Sequence, residues 1–209
     1  MSYYPAFLDL RNKRCVVVGG GGVALRKVEM LLEHQAQVTV ISPRLCEELE
    51  RLEGKVTIAG RGYQKGDLEG AFVVVAATDD PVTNERIATD AEERGMLINV
   101  VDVPSLSNFI VPSYLKRGDL TVAVSTGGKS PALARRIRSC LEEEFGPEYA
   151  DLIAVAEEVR SELKGKGIKV SPDAWQQALE IGELLELIRS GHPAEAKRKL
   201  YQTLMEAVR

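Results

Sequence analysis

The sequence predicts an α/β fold, with a doubly wound parallel sheet followed by a small α+β segment and a helical domain. Three observations support this prediction. Short apolar, β-branched runs recur through the first hundred residues, and segments with helical spacing of apolar residues separate them. A strand pair around KRGD interrupts this alternation. Beyond residue 130 the spacing is helical to the end of the chain.

Five runs are nearly continuous in apolar character, as strands buried on both faces of a parallel sheet are. They are RCVVVG (14–19), QVTVIS (37–42), KVTIAG (55–60), AFVVVAA (71–77) and MLINVV (96–101). Helices are expected over 22–35 and over 80–95, where Asp80 precedes Pro81 and Gly95 ends the pattern. This alternation is typical of a Rossmann-like domain.

The second half of the chain changes character. NFIVPSYLKRGDLTVAVS (108–125) predicts two antiparallel strands. Four helices are expected after them, over 131–146, 147–167, 171–191 and 192–208. The expected organisation is therefore a nucleotide-binding domain at 1–112, a middle segment at 113–146 and a C-terminal helical domain at 147–209.

Composition limits the kind of protein. The 209 residues carry a net charge of −4, which argues mildly against nucleic acid as the main partner. Three widely spaced cysteines without a CxxC pair predict neither a disulfide scaffold nor a metal site, and favour the reducing cytoplasm. The start, MSYYPAFLDL, lacks the pattern of a secretory signal. The longest apolar run, AFVVVAA, is too short to span a membrane.

Four consecutive glycines follow the first predicted strand. The three positions of the dinucleotide fingerprint are occupied by Gly19, Gly21 and Ala24. Gly20 and Gly22 add backbone amides and conformational freedom. Because free N–H groups and the dipole at a helix N-terminus favour an anion, we expect a pyrophosphate at the start of helix 22–35. The alternative is a glycine-rich turn without a ligand.

The acidic residue that usually grips a ribose is missing after the second strand. The chain reads TVISPR over 39–44, and the first carboxylate is Glu47. Its absence leaves NADP open, with Arg44 as the contact for a 2′-phosphate. NAD is equally open, with Ser42 and the backbone around Pro43 meeting the ribose hydroxyls.

Asp102 follows the predicted strand 96–101. It therefore lies at the carboxyl edge of the sheet, where ligands of doubly wound folds bind. A carboxylate there can act as a general acid or base. The alternative is a turn residue or a cap before VPS.

Five motifs in order resemble the precorrin-2 dehydrogenase family, which includes the fused modules of sirohaem synthases. They are VVVGGGGVALRKVEMLL, VTVISP, VVAATDDPVTN, NVVDVPSLSNFIVPS and VAVSTGGKSPALAR. The match covers roughly residues 3–146. It implies oxidation of precorrin-2 to sirohydrochlorin with NAD as the hydride acceptor, and Asp102 as the catalytic residue. Without a methyltransferase domain, the chain is expected to resemble the stand-alone form.

The resemblance also implies binding residues in the first domain. Cofactor contacts are expected from Gly19, Gly20, Gly21, Gly22 and Val23 at the turn, from Ser42, Pro43 and Arg44 at the adenosine side, and from Thr78 near the nicotinamide. For Thr78 a hydrogen bond to its own loop is the alternative. Asn99 and Asn108 flank Asp102 and are expected to orient either the substrate or the loop backbone.

The segment STGGKSPALARRIR (125–138) carries positive charge, and the implied tetrapyrrole substrate carries eight carboxylates. The candidate substrate contacts are Ser125, Lys129, Ser130 and Arg135. Because the arginines point in several directions at helical spacing, a solvated helix face is the alternative. The family also places dimer contacts in this segment, so a homodimer is expected.

Two other functions compete. The first is a bifunctional enzyme that also inserts iron, a reaction that usually needs a transient metal ligand. Only two histidines are present, and neither His34 nor His192 is near Asp102 in sequence. The second is a non-catalytic module that senses a dinucleotide, for which Asp102 and the STGGKSP loop have no role.

Overall fold

The computed structural model describes residues 3–208. The chain forms two compact units, Met1–Val111 and Pro112–Arg209. No helix within the described residues is long and apolar enough to cross a membrane.

The first unit is built on a five-stranded parallel sheet in the order β3-β2-β1-β4-β5. Its strands are β1 (Arg14–Val18), β2 (Gln37–Ile41), β3 (Thr57–Ala59), β4 (Val73–Ala76) and β5 (Leu97–Val100). At the carboxyl end of the sheet, Val18 pairs with Ile41 on one side and with Ala76 on the other. The predicted doubly wound α/β sheet is confirmed.

Apolar side chains fill both faces of this sheet, which explains the continuous apolar runs. On one face, alternate residues such as Val17 and Val75 pack with Val28 of helix α1 (Gly22–Glu33). On the other face, their neighbours pack with helix α3 (Pro81–Glu92). Between these helices in the chain lies a short helix that the sequence pattern does not predict, α2 (Glu47–Glu50), which buries Leu49.

The second unit starts with an antiparallel hairpin of β6 (Ser113–Arg117) and β7 (Leu120–Val124), as the KRGD pattern predicts. Five helices follow: α4 (Pro131–Glu144), α5 (Glu148–Gly165), α6 (Pro172–Ala178), α7 (Ile181–Arg189) and α8 (Pro193–Ala207). Helices α5 to α8 share one apolar core that contains Val159, Leu184 and Leu200.

The prediction of one helix over 171–191 is wrong. The chain leaves the helical conformation at Leu179 and Glu180, whose ψ angles are 70° and 79°, and then starts α7. A continuous helix would bury Ile181 beside Ala174 and Ala178, but Ile181 is 47% exposed. The break instead lets α6 pack on α8 while α7 packs on both α5 and α8. Tertiary packing therefore overrides the helical spacing, and the low helix propensity of Gly182 assists it.

Candidate functional site

The carboxyl edge of the parallel sheet collects the predicted residues of the first unit. The turn at Gly19 follows β1, Ser42 follows β2, Thr78 lies just beyond β4, and Asp102 lies just beyond β5. Helices α1 and α3 pack on opposite faces of the sheet, and the strand order reverses between β1 and β4. Ligands of doubly wound folds bind at such a switch point.

Gly19 holds the turn between the neighbouring strands. Its φ of 136° is a conformation that favours glycine. A Cβ atom at this position would lie 2.2 Å from the carbonyl oxygen of Ala77. The Gly19 N–H donates to the carbonyl of Ile41 at 2.9 Å. Any side chain here would therefore push β4 away from the turn.

Gly20 lies against the loop that follows β2. A Cβ atom on Gly20 would lie 1.9 Å from the carbonyl oxygen of Arg44 and 2.6 Å from Oγ of Ser42. The N–H of Cys46 donates to the Gly20 carbonyl at 2.8 Å. The backbone of the glycine turn thus packs tightly against the backbone of this loop.

The N-terminus of α1 fits an anion. Gly21 is the N-cap residue and provides no side-chain hydrogen bond, and no acidic residue lies in the first turn. A Cβ atom on Gly21 or Gly22 would meet nothing within 4 Å. The first N–H groups of a helix have no intrahelical acceptor, and the helix dipole favours negative charge there. The open space and free donors suit a pyrophosphate.

The side chain of Ser42 forms its hydrogen bond within the loop that follows β2. Ser42 is buried, and its hydroxyl donates to the carbonyl of Arg44 at 2.6 Å. The structure therefore gives this predicted cofactor ligand a role in shaping the loop. Pro43 and Arg44 are exposed. Among residues 3–208 the Arg44 guanidinium has no carboxylate partner within ion-pair distance.

Thr78 joins the end of β4 to helix α3. Its hydroxyl donates to Oδ1 of Asn84 at 2.7 Å, and Nδ2 of Asn84 donates to the Thr78 carbonyl at 3.0 Å. Sequence reasoning missed Asn84, which is buried. The sequence carries a signal for this residue, because Asn84 lies three residues before Ile87 and four before Ala88. This spacing places its side chain on the buried face of α3.

Asp102 is exposed at the sheet edge and has a φ of 59°. Asp and Asn tolerate this left-handed conformation better than other side chains, and such residues cluster at functional sites. Both flanking residues are held, because the N–H of Val101 donates to the carbonyl of Ala76 at 2.9 Å and that of Val103 to Val100 at 3.2 Å. The loop backbone thus fixes the position of this residue.

The two asparagines near Asp102 support the backbone. Oδ1 of Asn108 accepts from the N–H of Ile98 at 2.9 Å, and Nδ2 donates to the carbonyl of Met96 at 2.8 Å. Asn108 thereby forms hydrogen bonds with backbone groups along the free edge of β5, as a neighbouring strand would. Nδ2 of Asn99 donates to the carbonyl of Phe109 at 3.2 Å. Contact of Asn99 and Asn108 with the substrate stays a prediction.

The remaining candidates lie in the second unit. Oγ of Ser130 caps α4 by accepting from the N–H of Leu133 at 3.2 Å, and Oγ of Ser125 accepts from Gly127 at 3.0 Å. Lys129 and Arg135 are exposed, and neither forms an ion pair within the part of the chain that the structure describes. Of the predicted substrate contacts, these two therefore carry charges that no ion pair of the described residues neutralises.

Potential metal ligands are not grouped within the described residues. Across residues 3–208 there is no set of three or more His, Cys, Asp or Glu side chains that could hold a metal ion. His34 is the C-cap residue of α1, with Nδ1 at 2.8 Å from the carbonyl of Met30, and His192 is the N-cap residue of α8.

A glycine turn at the N-terminus of α1, placed at the switch point of a doubly wound sheet, defines a nucleotide-binding protein. The family model described as "Putative NAD(P)-binding" matches residues 6–113, and the chain belongs to this family. A second model, "Sirohaem biosynthesis protein central", matches residues 117–144.

Curated relatives extend the likeness over nearly the whole chain. The chain is 40% identical over 208 residues to a siroheme synthase of Thioalkalivibrio sulfidiphilus, covering 98% of this chain and 42% of that protein. It is 41% identical over 212 residues to a siroheme synthase of Nitrosospira multiformis, covering 98% of this chain and 45% of that protein. The chain thus spans less than half the length of these relatives.

A solved structure, "SirC, precorrin-2 dehydrogenase", matches with a TM-score of 0.71 and 27% identity, covering 98% of this chain and 100% of that chain. The family resemblance that the five motifs indicated is confirmed by these matches together.

Proposed function

We propose that the chain oxidises precorrin-2 to sirohydrochlorin, with NAD as the hydride acceptor and Asp102 as the acid or base. The observation that carries this proposal is the correspondence over 98% of the chain with a precorrin-2 dehydrogenase structure at a TM-score of 0.71. The position of Asp102 at the ligand-binding edge of the sheet supports it.

The glycine turn would hold the cofactor. The first N–H groups of α1 would bind its pyrophosphate, because Gly21 and Gly22 leave this volume open and no first-turn carboxylate repels phosphate. The exposed backbone at Pro43 and Arg44 would meet the adenosine. When bound, the nicotinamide supplies a two-electron acceptor for a hydride.

NAD is proposed rather than NADP because the family that the chain resembles mostly uses NAD with this same non-acidic strand end. Arg44 makes the question testable, since its guanidinium is exposed and lacks an ion-pair partner in the described chain. Precorrin-2 is offered with either cofactor while absorbance of the reduced nicotinamide is followed. Turnover with NADP alone, lost in Arg44→Ala, would reverse the assignment.

Asp102 would take the proton that leaves the macrocycle as the hydride departs. Its backbone is held at φ 59° by the loop, so the point from which the side chain projects at the carboxyl edge of the sheet is fixed. General acid–base catalysis contributes on the order of 10²- to 10⁴-fold. Asp102→Asn preserves the size of the side chain and removes its basicity. We expect a loss of turnover of at least ~100-fold with NAD affinity unchanged; turnover equal to that of the parent would refute the role.

Substrate carboxylates would bind to the cations of the second unit. Lys129 and Arg135 are exposed and free of ion pairs, whereas Ser125 and Ser130 use their hydroxyls in the loop and the helix cap. We expect Lys129→Met and Arg135→Met to raise KM for precorrin-2 and leave KM for NAD unchanged. Steady-state kinetics with each substrate varied in turn tests this.

A homodimer formed through the middle segment is part of the proposal. On α4, the exposed side chains Leu133, Ile137 and Cys140 follow one another at helical spacing, and Leu133 is 51% exposed. An apolar stripe of this kind is typical of a protein interface. Light scattering of the parent and of Leu133→Glu tests it, and a monomeric parent would contradict it. A cytoplasmic location, expected from the free cysteines, stays a prediction.

A second candidate function is iron insertion by the same chain, as the name of its relatives, siroheme synthase, suggests. Sirohydrochlorin is offered with Fe²⁺ or Co²⁺ while the visible spectrum is recorded. Metal insertion that exceeds the protein-free rate, and is lost in Asp102→Asn, would assign both steps to one carboxylate. Insertion at the protein-free rate would exclude the second activity.

A further inference from the structure

Asn84 is a buried polar side chain at the start of α3, beside the proposed cofactor site. It lies on the face of the helix that also buries Ile87 and Ala88 against the sheet. Because an amide inside a protein is costly without hydrogen bonds, its partners indicate what it does there. Both partners belong to one residue, Thr78, which lies just beyond the end of β4.

These two hydrogen bonds fix where the Thr78 hydroxyl proton points. Nδ2 of Asn84 donates to the main-chain carbonyl of Thr78 at 3.0 Å, and a carbonyl oxygen can only accept. The amide oxygen Oδ1 is therefore the atom that faces the Thr78 hydroxyl, at 2.7 Å. Because Oδ1 cannot donate, the hydroxyl gives it its single proton. The carbonyl of Asp80 lies farther from the same hydroxyl, at 3.1 Å.

With its proton bound to Asn84, Oγ1 of Thr78 can only accept a further hydrogen bond. One of its lone pairs accepts from the N–H of Asp80 at 3.2 Å. No other donor within residues 3–208 bonds to this oxygen. Thr78 is half-buried, so a ligand at the edge of the sheet can still reach it. Thr78 thus offers one acceptor and no donor.

The loop that carries Thr78 adjoins the glycine turn. The N–H of Ala77 donates to the carbonyl of Val18 at 2.8 Å. The Ala77 carbonyl oxygen is also the atom that a Cβ on Gly19 would meet at 2.2 Å. Thr78 therefore follows directly on a residue that contacts the turn proposed to hold the pyrophosphate. The nicotinamide ring of such a cofactor carries a carboxamide, whose amino group donates and whose carbonyl accepts.

We propose that Asn84 is a positioning residue that makes Thr78 an acceptor for the carboxamide amino group of the nicotinamide. Only that amino group complements an oxygen that has no proton to give. This role rests on the proposed function, which brings a nicotinamide dinucleotide to this edge of the sheet. It adds a buried residue of α3 that sets which ring substituent the site prefers.

The test compares NAD with 3-acetylpyridine adenine dinucleotide, which keeps the carbonyl and has a methyl group in place of the amino group. Isothermal titration calorimetry gives both dissociation constants. We expect the parent to bind NAD about five- to tenfold more tightly than the analogue, the effect of one neutral hydrogen bond. In Thr78→Val this ratio should fall to about one. The matched control is Thr89→Val, whose hydroxyl bonds to Glu85 within α3, and it should keep the parent ratio.

Two variants of Asn84 separate positioning from a structural role. Asn84→Asp keeps an acceptor oxygen for the Thr78 hydroxyl and should keep the ratio. Asn84→Leu removes both hydrogen bonds, so the ratio should fall to within about twofold of one. Partial unfolding would weaken the binding of NAD and of the analogue alike and leave their ratio unchanged. Thermal unfolding of each variant is recorded alongside.

The outcomes distinguish this inference from the proposed function. A ratio in Thr78→Val or in Asn84→Leu equal to that of the parent overturns the inference. If such a parent still oxidises precorrin-2, the proposed function stands without it. A parent that shows the expected ratios but does not oxidise precorrin-2 supports the role of Asn84 and refutes the proposed dehydrogenation.

Discussion

The packing of Gly20 against the loop after β2 gives a quantitative prediction for Gly20→Ala. The new methyl carbon would lie 1.9 Å from the carbonyl oxygen of Arg44, where ordinary contacts begin at 3.4 Å. The loop must therefore move by about 1.5 Å, since the obstructing atom is backbone and no rotamer change relieves it. This movement disturbs two hydrogen bonds, from Cys46 N–H to the Gly20 carbonyl and from Ser42 Oγ to the Arg44 carbonyl.

Overpacking of this kind costs ~1–3 kcal/mol, and each weakened hydrogen bond adds ~1 kcal/mol. We expect Gly20→Ala to lower the free energy of unfolding by about 3–5 kcal/mol, and Tm by roughly 6–20 °C for a chain of this size. Thermal and urea unfolding, followed by circular dichroism, measure both quantities.

Gly22→Ala is the matched control. Gly22 is the first residue of α1, and a methyl group there meets nothing within 4 Å. Because alanine favours helix over glycine by up to ~1 kcal/mol, stability should be unchanged or slightly higher. The same methyl group enters the proposed pyrophosphate volume, so NAD affinity should fall at least about tenfold. An unfolding free energy of Gly20→Ala equal to that of Gly22→Ala would refute this reasoning.

Two further predictions concern side-chain hydrogen bonds of the first unit. Tyr63 donates to Asp90 at 2.6 Å, and burial followed by this bond raises the pKa of the phenol above its usual 10.0. The protonated phenol therefore contributes its full stabilisation below pH 10, and this contribution is lost as the pH rises toward the raised pKa. The free energy of unfolding of Tyr63→Phe should thus depend less on pH above 10 than that of the parent. Asn108→Ala should destabilise the chain by about 1–2 kcal/mol in urea, because Ile98 and Met96 lose their partners; an unchanged midpoint would contradict this.

Much of the first unit could be predicted from local pattern. All five strands of the sheet and both long helices lie within the predicted segments, because a strand buried on both faces must be continuously apolar. The strand β3 is shorter than the predicted run 55–60, since only Thr57–Ala59 pair along this edge of the sheet. The glycine turn was predicted as a site for the same local reason: strand, glycines and helix are contiguous in sequence.

The side-chain partners could not be predicted in this way. Ser42, Thr78 and Asn108 were candidates for ligand contact, yet their polar groups bond to Arg44, Asn84 and the edge of β5. These partners are 2 to 12 residues away in sequence and meet only through turns and packing. Polarity and position alone do not distinguish a side chain that supports a loop from one that faces a ligand.

The sequence by itself determined the α/β class, the dinucleotide turn, the family resemblance and Asp102 as a candidate, because each depends on contiguous residues. Only the tertiary structure decided that α6 and α7 are separate helices, that Gly20 lies against the Arg44 carbonyl, and that the side chain of Asn108 bonds to the backbone along the edge of β5. The physical reason is the range of the interactions. Hydrophobic periodicity and turn preferences act within a few residues, whereas the close contacts and side-chain hydrogen bonds join segments that are more distant in sequence.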